Sequence, residues 1–99
     1  MASYLNNLNK VFDSRIRLGI MSALMVNESV SFNTLKEMLD VSDGNLASHI
    51  KALEENKIIK VNKGFIGKKT NTTYQVSKVG EKAFKLHLEA LEALIRSTK

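Results

Sequence analysis

Phe32-Asn33-Thr34-Leu35-Lys36-Glu37-Met38-Leu39-Asp40-Val41-Ser42-Asp43-Gly44-Asn45-Leu46-Ala47-Ser48-His49-Ile50-Lys51-Ala52-Leu53-Glu54 is the stretch that decides how this 99-residue chain folds. Asn33 or Thr34 can accept from first-turn N–H groups, which predicts a short helix over 33–39 burying Leu35, Met38 and Leu39. Asp40-Val41-Ser42 leaves room only for a tight link. Leu46, Ile50 and Leu53 follow at i, i+4 and i+7, so a second helix over 43–56, capped by Ser42 or Asp43, turns that stripe inward. Its opposite face presents Asn45, Ser48, Lys51 and Glu55.

Working outward toward the N-terminus, Asp13 or Ser14 can cap a helix over 14–26, in which Ile16, Ile20, Met21, Leu24 and Met25 recur at helical spacing. Gly19 costs that helix about 1 kcal/mol against alanine and gives a neighbouring helix room to approach. Asn27-Glu28-Ser29 ends it, and Val30-Ser31-Phe32 alternates as a short extended piece. Toward the C-terminus the period drops to two. Ile58-Ile59-Lys60-Val61-Asn62-Lys63 and Thr72-Thr73-Tyr74-Gln75-Val76-Ser77 read as strands of a hairpin over 58–77. Gly64-Phe65-Ile66-Gly67-Lys68-Lys69-Thr70-Asn71 forms its tip. Ser77 caps a last helix over 78–97 with two apolar stripes, Phe84/Leu88/Leu91/Ile95 and Leu86/Ala90/Ala93. A second stripe needs a second surface, and the simplest is another copy of the chain. Leu5, Leu8 and Phe12 also stand at helical spacing, with no evident partner inside the domain. They join Phe84, Leu88, Leu91 and Ile95 as the expected dimer contact.

Composition narrows the function. The chain is 43% hydrophobic and 25% charged, as in a folded domain, and at this length a single domain over 1–99 is expected. There is no cysteine, which excludes disulfides, thiolate metal sites and thiol nucleophiles and fits a cytoplasmic location. No stretch approaches the length of an apolar membrane span, and the N-terminus lacks a signal-peptide pattern. The paired acids Glu54 and Glu55 are adjacent and so point differently on a helix. Neither a glycine-rich phosphate loop nor a nucleophile elbow is present. His49 and His87 are far apart, and Glu89 points away from His87, so no metal is expected. Enzyme chemistry and cofactors find no support, and no pattern points to a small-molecule effector. Net charge is +5, unevenly placed: −1 over residues 1–43 and +6 over 44–99, with eight lysines against Glu81 within 57–85. Such a block suits an anionic polymer or an anionic membrane surface, or merely solubilises a lysine face.

The order helix, short strand, helix, turn, helix, hairpin, helix resembles a winged helix-turn-helix. In particular it looks like the small stand-alone relatives of the multiple-antibiotic-resistance (MarR) and arsenical-resistance (ArsR) regulators. Three stretches carry the resemblance: Phe12-Asp13-Ser14-Arg15-Ile16-Arg17-Leu18-Gly19-Ile20-Met21, the helix pair quoted above, and Thr73-Tyr74-Gln75-Val76-Ser77-Lys78-Val79-Gly80-Glu81-Lys82-Ala83-Phe84. Where relatives often carry proline and arginine in the wing, Lys68-Lys69-Thr70-Asn71 stands here. The resemblance implies a mainly helical α+β fold, with a three-helix core, a wing and a C-terminal dimerisation helix. It also implies double-stranded DNA as partner.

The residues suit that partner. A helix fits the major groove, where Asn45 can pair with adenine and Ser48 and His49 can reach bases or phosphates. Asp43 either accepts from cytosine or only caps its helix. Lys51, then Lys63, Lys68, Lys69 and Thr70 of the wing, are expected on the phosphate backbone, with Thr34 and Lys36 at the start of the preceding helix. One of Arg15 and Arg17 is expected in a structural salt bridge with an acid of a neighbouring helix. The expected function is that of a homodimeric, sequence-specific transcriptional regulator. The alternatives are a winged helix that binds protein and a nonspecific, chromatin-like DNA binder.

Overall fold

A computed structural model of the chain describes residues 4–97. Two short 3₁₀ turns, Tyr4–Asn7 and Lys10–Phe12, precede α1 (Arg15–Val26), β1 (Val30–Ser31), α2 (Phe32–Leu39), α3 (Asp43–Glu55), β2 (Ile59–Ile66), β3 (Lys69–Val76) and α4 (Lys78–Ser97). Each of the first three helices starts on a serine in extended conformation. Ser14, Ser31 and Ser42 accept from the backbone N–H of Arg17, Thr34 and Asn45 at 3.3, 3.1 and 3.2 Å. For α2 this corrects the expected cap at Asn33 or Thr34. Ser31 pairs with Thr73 in β1, and that extended backbone sets its hydroxyl over Thr34, so the helix starts at Phe32.

The helices converge on one apolar centre. Ile20, Met21 and Leu24 of α1, Leu35 of α2, and Leu46 and Leu53 of α3 are fully buried. At the α1–α2 contact a Cβ on Gly19 would lie 2.5 Å from Leu39 Cδ2, so the glycine does admit its neighbour closely. Met38, expected inside, is exposed: α2 is only eight residues long, and its inward stripe runs through Leu35 and half-buried Leu39.

The sheet is antiparallel in the order β1-β3-β2. Pairing of β2 with β3 runs without interruption from Ile59↔Val76 to Ile66↔Lys69. The turn is therefore just Gly67-Lys68, with Gly67 at φ +62°, a left-handed conformation that glycine adopts at no steric cost. Most of the expected eight-residue tip, Gly64 to Asn71, is strand instead. Ile59 and Tyr74 are buried and Val61 and Val76 pack beside them, whereas every residue from Asn62 to Thr70 is exposed. The outer half of the ribbon thus projects about 17 Å beyond the core, at 3.3–3.4 Å per strand residue.

The wing root and α4 are joined at Ser77. Its hydroxyl accepts from Gly80 N–H at 2.8 Å and lies 2.6 and 2.9 Å from the carbonyl oxygens of Lys57 and Ile58. Its backbone N–H donates to Ile58 as well. Gly80 is required by the same junction, since a Cβ there would fall 1.9 Å from the Ile58 carbonyl oxygen.

The N-terminal segment lies along α4. Phe12 and Phe84 meet edge to face with centroids 5.1 Å apart, and the His87 ring stands 5.3 Å from Phe12. Asn9 N–H donates to His87 Nδ1 at 3.0 Å. This corrects the expected dimer contact: Phe12 is 0% and Phe84 4% exposed, so both belong to the core of one chain. The buried side of α4 follows Gly80, Phe84, His87 and Ala90, an arc that crosses the two stripes seen in the sequence. Leu91 is half-buried beside it, and Leu86, Leu88 and Ile95 face outward.

Candidate nucleic-acid interface

Burial of Leu46, Ile50 and Leu53 fixes the rotation of α3 and dictates what it shows to solvent. Gly44, Ala47, Ser48 and Lys51, at i, i+3, i+4 and i+7, are all exposed, with Asn45 beside them. Except for Lys51 these side chains are short, so the helix backbone can come close to a partner. Apart from its chain neighbours and the backbone of α3 itself, nothing lies within 4 Å of where a Gly44 Cβ would be. Sequence reasoning missed Gly44 and Ala47 because it looked for polar atoms; the same helical spacing that selected Ser48 would have found them.

The expected contacts at the start of α3 are partly engaged with each other. Ser42, not Asp43, is the cap. Asp43 sits in the first turn, where the helix dipole favours a carboxylate, and pairs with Lys36 Nζ of α2 at 2.8 Å. Both side chains are well exposed, so the pair contributes about 0–1 kcal/mol, and an oxyanion can draw Lys36 away. Thr34 is exposed, and its hydroxyl accepts from Ser31 Oγ at 2.9 Å.

His49 is half-buried and held. Arg17 Nε donates to its Nδ1 at 3.0 Å, while Arg17 Nη1 reaches the Val11 carbonyl at 3.2 Å. Donation to Nδ1 places the proton of the neutral imidazole on Nε2, a donor suited to a phosphate or base acceptor. Burial, and secondly the Arg17 charge, lower its pKa from the ordinary imidazole value and so favour the neutral ring. The salt bridge expected of Arg15 or Arg17 does not form; among the described residues the ion pairs are Lys36–Asp43, Lys85–Glu81 and Arg96–Glu92. Arg17 takes neutral acceptors because the face of α3 turned to α1 offers His49 rather than an acid.

The wing carries the remaining expected residues. Lys63 on β2, Lys68 in the turn, and Lys69 and Thr70 on β3 are exposed along the projecting half of the ribbon. Phe65 and Ile66, not singled out from the sequence, are exposed among them.

A helix with a close-approach face, a helix packed behind it and a cationic two-stranded arm agree with what comparison finds. The sequence matches the winged helix DNA-binding domain family over residues 16–95. The chain belongs to this family. Its winged helix thus includes both α3 and the wing, and it is a DNA-binding protein rather than an enzyme. An uncharacterised protein of Methanocaldococcus jannaschii is similar, at 37% identity over 79 residues, covering 80% of this chain and 86% of that one. Among solved structures, a transcriptional regulator homologue from Pyrococcus horikoshii superposes with a TM-score of 0.84 and 31% identity, over 92% of this chain and 90% of its own. A MarR-family transcriptional regulator from Enterococcus faecalis shares the fold, with a TM-score of 0.72 at 14% identity, over 96% of this chain and 78% of its own. The winged helix-turn-helix expected from sequence is the fold observed.

Proposed function

We propose that this winged helix is a cytoplasmic transcriptional regulator that binds a specific double-stranded DNA site as a homodimer. The observation that carries the reading is the exposed face of α3, where Gly44, Asn45, Ala47, Ser48 and Lys51 combine close approach with base-reading and phosphate-binding groups. In the major groove Asn45 pairs with adenine, Ala47 meets a thymine methyl group, and Ser48 and His49 reach bases or phosphates. Lys51 binds phosphate, as do Thr34 and Lys36 from α2. Lys63, Lys68, Lys69 and Thr70 follow the backbone from the wing.

Self-association is the part of the reading that α4 supports. Leu88 and Ile95 are exposed along one flank of α4 and Leu86 along the opposite flank, with Leu5 and Leu8 at the N-terminus. Leu91 is half-buried and contributes its outer part. A two-fold pairing of these helices covers both surfaces and sets two α3 helices about 34 Å apart, one DNA turn.

Selection of binding sites from a random duplex pool tests the proposal. A pseudo-palindrome with half-sites about one turn apart is expected. A pool that shows no sequence enrichment, despite salt-dependent binding, would leave only nonspecific DNA binding. A pool that shows no retention would leave the protein-binding alternative.

A further inference from the structure

The end of the wing is apolar on both faces. Phe65 is 75% and Ile66 69% exposed, and neither packs on the core. They are the last two positions before Gly67, and successive strand residues point to opposite sides of a ribbon. Each has a lysine on its own face: Lys63 lies two residues before Phe65, and Lys69 is directly opposite Ile66. Lys68 occupies the turn between them. Large apolar groups on a projecting two-stranded arm are an aggregation hazard unless a partner covers them.

The pattern selects the partner. A protein surface lying against the ribbon would use one face, and the other would stay wet. A tip with an apolar group on each side and cations around it suits a narrow anionic cleft with apolar walls. The minor groove of duplex DNA is that cleft: phosphates line its rims and stacked bases lie within. The hairpin supplies no arginine to fill an intact narrow groove electrostatically, since the chain's arginines are Arg15, Arg17 and Arg96.

We propose that Phe65 and Ile66 form a wedge at the wing tip that enters the minor groove, partly unstacks a base step and bends the duplex toward its major groove. Lys63, Lys68 and Lys69 hold the flanking phosphates. The wedge rests on the DNA-binding reading and adds deformation to it. Flexible pyrimidine–purine steps such as TA are its preferred targets, because they unstack most readily.

The test uses the whole chain and a duplex of roughly 20 base pairs, about two helical turns, rich in TA steps. The duplex carries 2-aminopurine at one such step and a donor–acceptor dye pair at its ends. Binding is read separately by anisotropy. Wild type is expected to raise 2-aminopurine emission and shorten the end-to-end distance on binding. Phe65→Ser with Ile66→Ser is expected to keep the salt dependence of binding, lose both deformation signals, and bind about tenfold more weakly, as apolar insertion is removed while phosphate contacts stay. Both positions are exposed, so circular dichroism of the variant should match wild type.

Wild type that binds without either deformation signal overturns the wedge and leaves DNA binding standing. A double variant that bends DNA as wild type does overturns it too, as does one whose only change is in sedimentation, which would assign the patch to self-association. Wild type that shows no anisotropy change fails the DNA-binding reading itself, a result the separate measurement distinguishes.

Discussion

Asn45 gives the sharpest residue-level test, because its backbone is committed and its side chain is not. Its N–H is taken by Ser42 Oγ and its amide is exposed in the first turn of α3. Asn45→Ala is expected to cost about 1–3 kcal/mol on the selected site and little on random duplex. Equal losses on both, measured by anisotropy, would remove its base-reading role. His49 is its opposite, a polar side chain drawn into structure through Arg17. Because the fold lowers its pKa from 6.5, the unfolded chain binds the proton more readily than the folded one. Its contribution to stability is therefore complete above pH 6.5 and is lost as pH falls below that value. Urea unfolding at pH 7.5 and 5 is expected to show the loss in wild type and a smaller one in His49→Gln. An identical loss in the variant would place the pH dependence elsewhere.

At the scale of elements, glycine separates two kinds of contact. At Gly80 a Cβ meets the backbone of Ile58, so Gly80→Ala must push α4 off the wing root and is expected to cost about 3 kcal/mol. At Gly19 the obstruction is the end of the Leu39 side chain, which can rotate, and alanine improves the helix. Gly19→Ala is accordingly expected near neutral in the same urea titration, and equal costs for the two would refute the distinction. For the wing, Lys68→Ala with Lys69→Ala should weaken binding to all sequences alike and lower the log–log salt slope by about one to two units. An unchanged slope would take the wing off the DNA. The wing is also the element least legible in the sequence. Gly64, Gly67, Thr70 and Asn71 read as turn formers, yet cross-strand pairing extends through them to a two-residue turn. Register is a property of two strands together, and neither strand states it alone. The α2 start was hidden similarly, because Ser31 becomes a cap only once β1 pairs with β3.

In the whole molecule, what could be read early was whatever repeats along one helix. The inward stripe of α3 and the range of α4 are of this kind. What could not be read was which apolar surface the domain keeps for itself. The Phe84/Leu88/Leu91/Ile95 stripe has the right period, but the N-terminal turns fold back on α4, and Phe12 and His87 shift the buried arc. A histidine as a core packing residue gives no apolar signal. The dimer test therefore belongs at Leu88, 45% exposed, and not at Phe84, where any charge would unfold the chain. Wild type is expected to sediment as a dimer at tens of micromolar, and Leu88→Glu as a folded monomer with its site-specific affinity lost, since two like charges would be buried across the two-fold. A monomeric wild type would refute the dimer. Ser77 gives that pairing a mechanical meaning. Its hydroxyl ties the carbonyls of Lys57 and Ile58 to the first turn of α4, so helix and ribbon share a rigid elbow. The ribbon is a lever of about 26 Å, eight strand residues at 3.3 Å each. In the proposed dimer, a pivot of α4 by about 10° against its twin would swing the tip by about 5 Å, more than the rise between two base pairs. A change of torque at the paired helices thus arrives at the far end as a change of address.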